Sequence, residues 1–380
     1  MRKRVAVLLS GGVDSSVAAA LLKEGGRYDL IGVFIVGWQG TKDFPCQWQA
    51  DEADARMVAE KLGIPFFSVN LSQQYYRKVI TEFVAGYSRG LTPNPDILCN
   101  REIKFKALWR QLSQFEIDFI ATGHYARLRR QGAGADDYGI YKPMDSAKDQ
   151  TYFLWAIDGE ILPRLIFPLS ELIKPEVRLL AKKFDLPTFN KRDSQGVCFT
   201  GGLPVKRFLA NFLKWEEGTV LTLDGRQIAK HRGVNFYTIG ERLGADTVLW
   251  QGDVPPLYVV AKDTRENLLV VGNDNQTYAD KFTSEPIRWL GSPRRSKFVA
   301  MVKIRYRQED VPAKIYPSNK GAVVELGQPV RAITPGQSMV LYDSDGRLLG
   351  GATIKDVPAQ RAILRKAKRH RQPAAAKITT

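Results

Sequence analysis

"VAVLLSGGVDSSVAAALLKEGG", residues 5–26, decides the fold. VAVLL at 5–9 is a short, uniformly apolar run, as expected of a strand buried on both faces. SGGVDSS at 10–16 interrupts it with two glycines, which let the backbone turn tightly. VAAALLKE then reads as a helix closed by Gly25 and Gly26. Such a turn offers backbone N–H groups and the hydroxyls of Ser10, Ser15 and Ser16 at the positive end of a helix, a setting that accepts phosphate oxygens. It is not the G-x-x-x-x-G-K-[ST] loop, because no lysine follows the second glycine. The plain alternative is a capped helix after a glycine turn.

Outward from this unit the pattern repeats. LIGVFIV at 30–36, FFSVN at 66–70 and DFIATGH at 118–124 read as strands. Helical stretches lie between them: ADEADARMVAEKLG, residues 73–89 and residues 101–115, with GLTPNPDILCN (90–100) as a loop. This alternation predicts an α/β fold with a parallel sheet covered on both faces. RRQGAGADDYGIYKP at 129–143 reads as a hairpin or loop, and KPEVRLLAKKFDLP at 174–187 as a helix with Pro175 in its first turn. From about residue 216 short β-like runs take over. The expected domains are an α/β catalytic unit (1–200), a small central domain (201–280), a C-terminal β-barrel-like domain (281–360) and a basic tail (361–380), disordered in isolation.

The net charge is +16, and residues 301–380 hold 15 Lys/Arg against 6 Asp/Glu, so +9 of it sits in the last fifth of the chain. That asymmetry favours a polyanionic partner, nucleic acid ahead of a membrane. No run is apolar for the length a bilayer span needs, and "MRKRVAVLLSGG" lacks a cleavage site for a secretory leader. Three cysteines without a CxxC, Cys46, Cys99 and Cys198, exclude a disulfide scaffold and a four-thiolate zinc site. The expected location is the cytoplasm.

Further motifs follow in order: TPNPDILCNREIKF (92–105), ATGHYAR (121–127), KDQTYFLW (148–155), KPEVRLLA (174–181), DSQGVCF (193–199), FYTIGERLG (236–244), KIRYRQ (303–308) and TPGQ (334–337). The SGGVDSS loop resembles that of the PP-loop ATP pyrophosphatases, the adenine nucleotide alpha hydrolase-like superfamily. With the other motifs, residues 3–357 resemble the bacterial tRNA-specific 2-thiouridylases. That resemblance implies ATP-dependent 2-thiolation of the tRNA wobble uridine through an adenylated base and a cysteine persulfide.

By this resemblance, Leu8, Leu9, Ser10, Gly11, Gly12, Val13, Asp14, Ser15, Ile35 and Gly123 bind ATP, with Mg²⁺ at Asp14. Cys198 carries the persulfide, Cys99 attacks its inner sulfur, and the pair ends as a Cys99–Cys198 disulfide. Asp96 serves as general acid or base, and Asn94, Pro95, Asp96 and His124 face the target base or tRNA. Lys148, Asp149, Gln150, Arg305, Tyr306 and Gln337 fall at tRNA-contact positions. An upstream persulfide carrier protein or cysteine desulfurase system is the implied sulfur source.

Several alternatives stay open. Cys46 reads as an inert small hydrophobe. Asp96, Cys99 and Cys198 could instead ligate an iron–sulfur cluster. Arg305 and Arg307 alternating with Tyr306 predict a strand with charge and ring on opposite faces, and an isolated RYR is commonly a solvated edge. Two departures from the family pattern, Glu241 and Leu243 in YTIGERLG, put local contacts of the central domain in question. A small-molecule synthetase on the same fold and a noncatalytic RNA binder are the rival functions; pyrophosphate release that requires tRNA separates all three.

Overall fold

The computed structural model describes residues 2–41, 44–45, 48–132, 137–193, 204–244 and 256–371. Cys46 and Cys198 lie outside these residues. Five parallel strands form the first sheet: β1 (Lys3–Leu8), β2 (Tyr28–Val36), β3 (Phe66–Asn70), β4 (Phe119–Ala121) and β5 (Leu165–Ile166). Their order is β3-β2-β1-β4-β5. Val5, Ala6 and Val7 of central β1 are fully buried, each valine contributing roughly 1.5–3 kcal/mol by leaving water. Helix α1 (Val13–Glu24) lies close to the sheet because its inward residues are small, Ala18, Ala19 and Ala20 among them. Chain order reverses between β1 and β4, so a crevice opens at their carboxyl ends, where open α/β sheets place ligands.

Helix α2 (Trp48–Leu62) and helix α3 (Lys174–Lys183) complete the cover around this edge. The stretch 90–100 is not a loop throughout. A helical run begins at Pro95 and continues to Phe115, with wide π-type turns over Cys99–Ala107. Pro95 suits the first helical position because its missing N–H would have no partner there. The Asn94 side chain accepts the Asp96 N–H at 3.0 Å and caps the start.

Residues 218–272 contain a four-stranded sheet made of Gly218–Leu221, Gln227–His231, Tyr258–Asp263 and Leu268–Gly272. Seven antiparallel strands between Tyr278 and Asp356 form the last unit. It closes into a barrel because Tyr278–Ser284 pairs with both Gly321–Arg331 and Leu348–Asp356. Phe282, Ile315, Val324 and Leu341 fill its interior.

Two expectations are corrected. The strand Phe298–Lys303 ends before Arg305, so Arg305, Tyr306 and Arg307 sit on a turn rather than on opposite faces of a strand. The basic tail is not wholly disordered: Pro358–Arg369 forms helix α4, docked through Ile363, Leu364 and Ala367 on the central sheet. Its charged residues keep an apolar stripe at helical spacing, which composition alone does not reveal. Among the described residues no helix is long and apolar enough to cross a membrane.

Candidate active site

The turn after β1 is built by its own side chains. Gly11 has φ +71°, and a side chain there would strike the Asp51 carbonyl at the start of α2. Gly12 precedes α1 with extended backbone. The Ser15 and Ser16 hydroxyls donate to the Gly12 carbonyl at 3.0 and 2.8 Å, while the Ser10 N–H donates to Ser15 Oγ at 3.1 Å. Thr188 fixes Ser16 from the far side at 2.9 Å. The amino end of α1 has no side-chain cap, so its leading N–H groups are available to an anion.

Leu8 and Leu9 are buried beneath this turn, Val13 is buried as the first residue of α1, and Ile35 pairs with Val69 near the same edge. Gly123 follows β4 and faces the turn directly. A Cβ on it would come within 2.7 Å of the Ser15 nitrogen. Its lack of a side chain therefore admits the loop backbone itself.

Asp14 belongs to a charged cluster in which sequence reading left Lys174, Arg178 and Asp193 without roles. Its Oδ1 accepts from Tyr125 Oη at 3.0 Å and from Lys174 Nζ at 2.6 Å. Lys174 also meets Asp193 at 2.9 Å, and Asp193 further binds Lys148 at 2.8 Å and Arg178 at 2.5 Å. Burial acts against the Asp193 charge, but hydrogen bonds from Lys148 and Lys174 outweigh it and hold the carboxyl down at about 2. Burial and then Asp14 push the Tyr125 phenol upward, so it remains a donor. Three cations thus converge on one carboxylate beside the glycine turn. Magnesium commonly takes one or two carboxylates with substrate phosphates supplying the rest, and Asp14 fits that part. Among the described residues no group of three His, Cys, Asp or Glu could hold a metal alone.

On the other side of Gly123, His124 is buried, with Nδ1 2.8 Å from Thr122 Oγ1. Burial first, then the Lys104 charge, pull its imidazole well below the usual range, so it is neutral. Phe105 and Phe167 pack against it at 5.9 and 6.2 Å. Phe105 belongs to the helical run that carries Asp96 and Cys99, so one chain of contacts joins the turn to the thiol.

Cys99 is a buried free thiol with a hydrogen bond to Tyr75. Burial raises its pKa; Lys104 opposes that and Asp96 adds to it. The resting form is the thiol, and a nearby base must deprotonate it before it can attack. Whether Cys99 meets Cys198 falls outside the described residues, as does the third member of the iron–sulfur set.

The expected RNA-contact residues divide. Lys148 points to Asp193, and the Gln150 side chain accepts the Tyr125 N–H at 3.0 Å, placing both beside the charged cluster around Asp14. Asp149 is turned inward: it is 4% exposed and pairs with buried Lys303 at 3.2 Å, so it serves the seam between α/β unit and barrel. Tyr306 packs on Phe153 at 4.5 Å across the same seam. Arg305 and Gln337 line a cavity of about 360 Å³ with Thr238, Ile239, Gly240 and Glu241. Gln337 donates to the Thr92 carbonyl at 2.6 Å, and Arg305 to that of Ala332 at 3.0 Å. Burial, then Arg331, disfavour the Arg305 cation, so an anion reaching this cavity would stabilise it. The two departures have structural explanations: Glu241 accepts the Thr238 N–H at 3.0 Å and pairs with Lys206, and Leu243 joins the core.

Comparison with known proteins gives a consistent result. Family models match along the chain: a tRNA methyl transferase HUP domain over residues 3–202, a tRNA methyl transferase PRC-barrel domain over 206–273 and an aminomethyltransferase beta-barrel domain over 279–354. The tRNA-specific 2-thiouridylase MnmA of Shouchella clausii is 42% identical over 365 residues, covering 94% of this chain and 98% of the relative. Its counterpart MnmA 1 of Geobacillus kaustophilus is 43% identical over 362 residues, 94% of this chain and 96% of its own. A solved U34-tRNA thiolase NcsA from Methanococcus maripaludis aligns at 20% identity with 55% of this chain and 67% of its own, at TM-score 0.35, a likeness too slight to bear on the site.

Proposed function

The chain belongs to the tRNA-specific 2-thiouridylase family, and on that premise we propose that it replaces O2 of the tRNA wobble uridine with sulfur, using ATP and a cysteine persulfide. It is a tRNA-uridine sulfurtransferase that uses ATP; the steps follow from the chemistry its residues can perform.

Uridine O2 attacks the α-phosphorus, and the bond to the β-phosphate breaks. The departing pyrophosphate rests on the SGGVDSS turn and the amino end of α1, with Lys174 and Arg178 as counter-charges. Asp14 is the residue that would hold Mg²⁺, which would supply further neutralisation of phosphate charge. The base now carries AMP on O2, which converts a poor leaving group into a good one. Cys99 Sγ attacks the inner sulfur of a Cys198 persulfide. The S–S bond breaks with its electron pair on the outer sulfur, which bonds C2 as AMP leaves. A Cys99–Cys198 disulfide remains, and a dithiol supplying two electrons resets it. The proton of the resting Cys99 thiol passes to Asp96, one helical turn earlier.

The observation that carries this reading is the contact chain from Ser15 through Gly123, His124 and Phe105 to the helix of Cys99. It supports the reading because the glycine turn and the buried thiol lie on either side of one short connection. The test is mass spectrometry of nucleosides from unmodified tRNA incubated with the enzyme, ATP, Mg²⁺ and a persulfide donor. We expect 2-thiouridine at the wobble position with AMP and pyrophosphate in equal amount. Pyrophosphate released equally without tRNA, or no sulfur incorporation from a competent donor, overturns the reading.

A further inference from the structure

Helix α4 carries five cations, Arg361, Arg365, Lys366, Lys368 and Arg369, and no acidic residue. Part of this charge fastens the helix. Lys368 binds Asp263 and Glu266, at 2.6 Å to the latter, and Arg361 binds Asp356 at 2.8 Å. Gln360 donates to the Ile333 carbonyl of the barrel at 2.6 Å. With Ala367 buried and Ile363 and Leu364 partly buried against the central sheet, the helix straps barrel to central domain.

Arg365, Lys366 and Arg369 take no part in this. All three are exposed, and among the described residues no ion pair joins them. At 100° per residue they lie on the face opposite Ile363, Leu364 and Ala367. Like charges three and four apart cost a helix a few tenths of a kcal/mol each. The helix dipole favours Lys366 and Arg369 in the last turn, but not the absence of every acid from the outer face. Nearby acids are already engaged: Asp224 by Arg226, and Glu266 by Lys368 and Arg371.

The charge continues inward. A cavity of about 160 Å³ beneath the amino end of α4 is lined by Arg89, Lys262 and Arg361, and by Ile239. Ile239 also lines the Arg305–Gln337 cavity. Asp356, the partner of Arg361, also lines the smaller cavity, so Arg89 and Lys262 are the basic side chains it adds beside the helix.

We infer that the outer face of α4 is a docking surface for the phosphate backbone of tRNA, outside the target-base pocket. This rests on the tRNA-modifying function proposed above. A lipid surface fits poorly, because the apolar stripe that would enter it is already packed against the central domain. The contacts are electrostatic and sequence-independent, setting affinity and orientation while the pocket selects the base.

The test uses the full chain with Arg365, Lys366 and Arg369 all changed to Ala, and fluorescence anisotropy with unmodified tRNA across a salt series. The variant should bind on the order of tenfold more weakly at low salt, with the log–log salt slope reduced by about 2, given roughly 0.7–0.9 per phosphate contact. Thiolation at saturating tRNA should be unchanged. A charge-preserving R365K/K366R/R369K chain should bind like the wild type. An unchanged slope in the folded alanine variant, equal loss in the charge-preserving chain, or loss of binding to phosphatidylserine vesicles in place of tRNA would overturn the surface. Wild-type protein that fails to bind tRNA would instead overturn the functional reading beneath it.

Discussion

Lys174 is the residue whose role sequence reading most clearly missed. Its motif, KPEVRLLA, is visible, but nothing local says that its ammonium reaches Asp14, 160 positions earlier. Contact between the first turn of one helix and the first turn of another is a product of topology, which spacing does not encode. By contrast SGGVDSS was readable, because strand, turn and helix are contiguous and two glycines mark the break. Lys174→Ala leaves Asp14 and Asp193 facing the turn without the cation between them. We expect tRNA-dependent pyrophosphate release to fall about 10²-fold, as when one preorganised charge donor is lost, with Lys174→Arg retaining more. Release within twofold of wild type, about 0.4 kcal/mol, would remove Lys174 from the phosphate site.

At the scale of elements, His231 gives a pH prediction. It ends the strand Gln227–His231, accepts the Gly233 N–H on Nδ1 at 3.0 Å and donates from Nε2 to the Asn267 carbonyl at 3.1 Å. Both nitrogens are committed in the neutral form, and protonating Nδ1 breaks the first bond. Burial pulls its pKa down to about 4, with the Asn267 carbonyl opposing only in part. A folded value below the unfolded one, about 6.5, means that its stabilising effect is complete above that pH and is lost as pH falls toward 4. Thermal melts of wild type should fall relative to His231→Gln over that window, by on the order of 2 kcal/mol; parallel profiles would refute it. Elements also show where pattern reading failed. KIRYRQ alternates like a strand, but the strand stops at Lys303, whose ammonium turns inward to Asp149. The helix containing Cys99 begins six residues before its expected start at 101, because Asn94 and Pro95 form a cap within what looks like a proline-stiffened loop.

For the whole molecule, the parallel sheet and the two β units were legible from the change in hydrophobic rhythm, whereas the seams between them were not. Lys303 and Asp149, both under 10% exposed, form one such seam with Asp310 at 3.7 Å. Lys303→Met leaves a buried carboxylate uncompensated, and breaking a buried pair from one side costs about 3–5 kcal/mol. Equilibrium denaturation should register that loss, and Lys303→Met with Asp149→Leu should recover much of it. If the single variant is as stable as wild type, the pair does not hold barrel to α/β unit. Asp96 and Asp149, both acids in motifs expected at the RNA, thus differ in kind: one sits a helical turn from a thiol, the other binds two domains together.

Asp193 has one more implication. A cleft lined with ammonium and guanidinium groups would attract any small anion in the cell, chloride and orthophosphate included. If the proposed reaction runs here, a tethered carboxylate seated among them would act as a built-in plug: guests of low charge would gain little by dislodging it, while a molecule with several negative oxygens would displace it. As the spent diphosphate fragment departed, the same plug would be on hand to retake its seat, and discrimination and clearance would then rest on a single side chain.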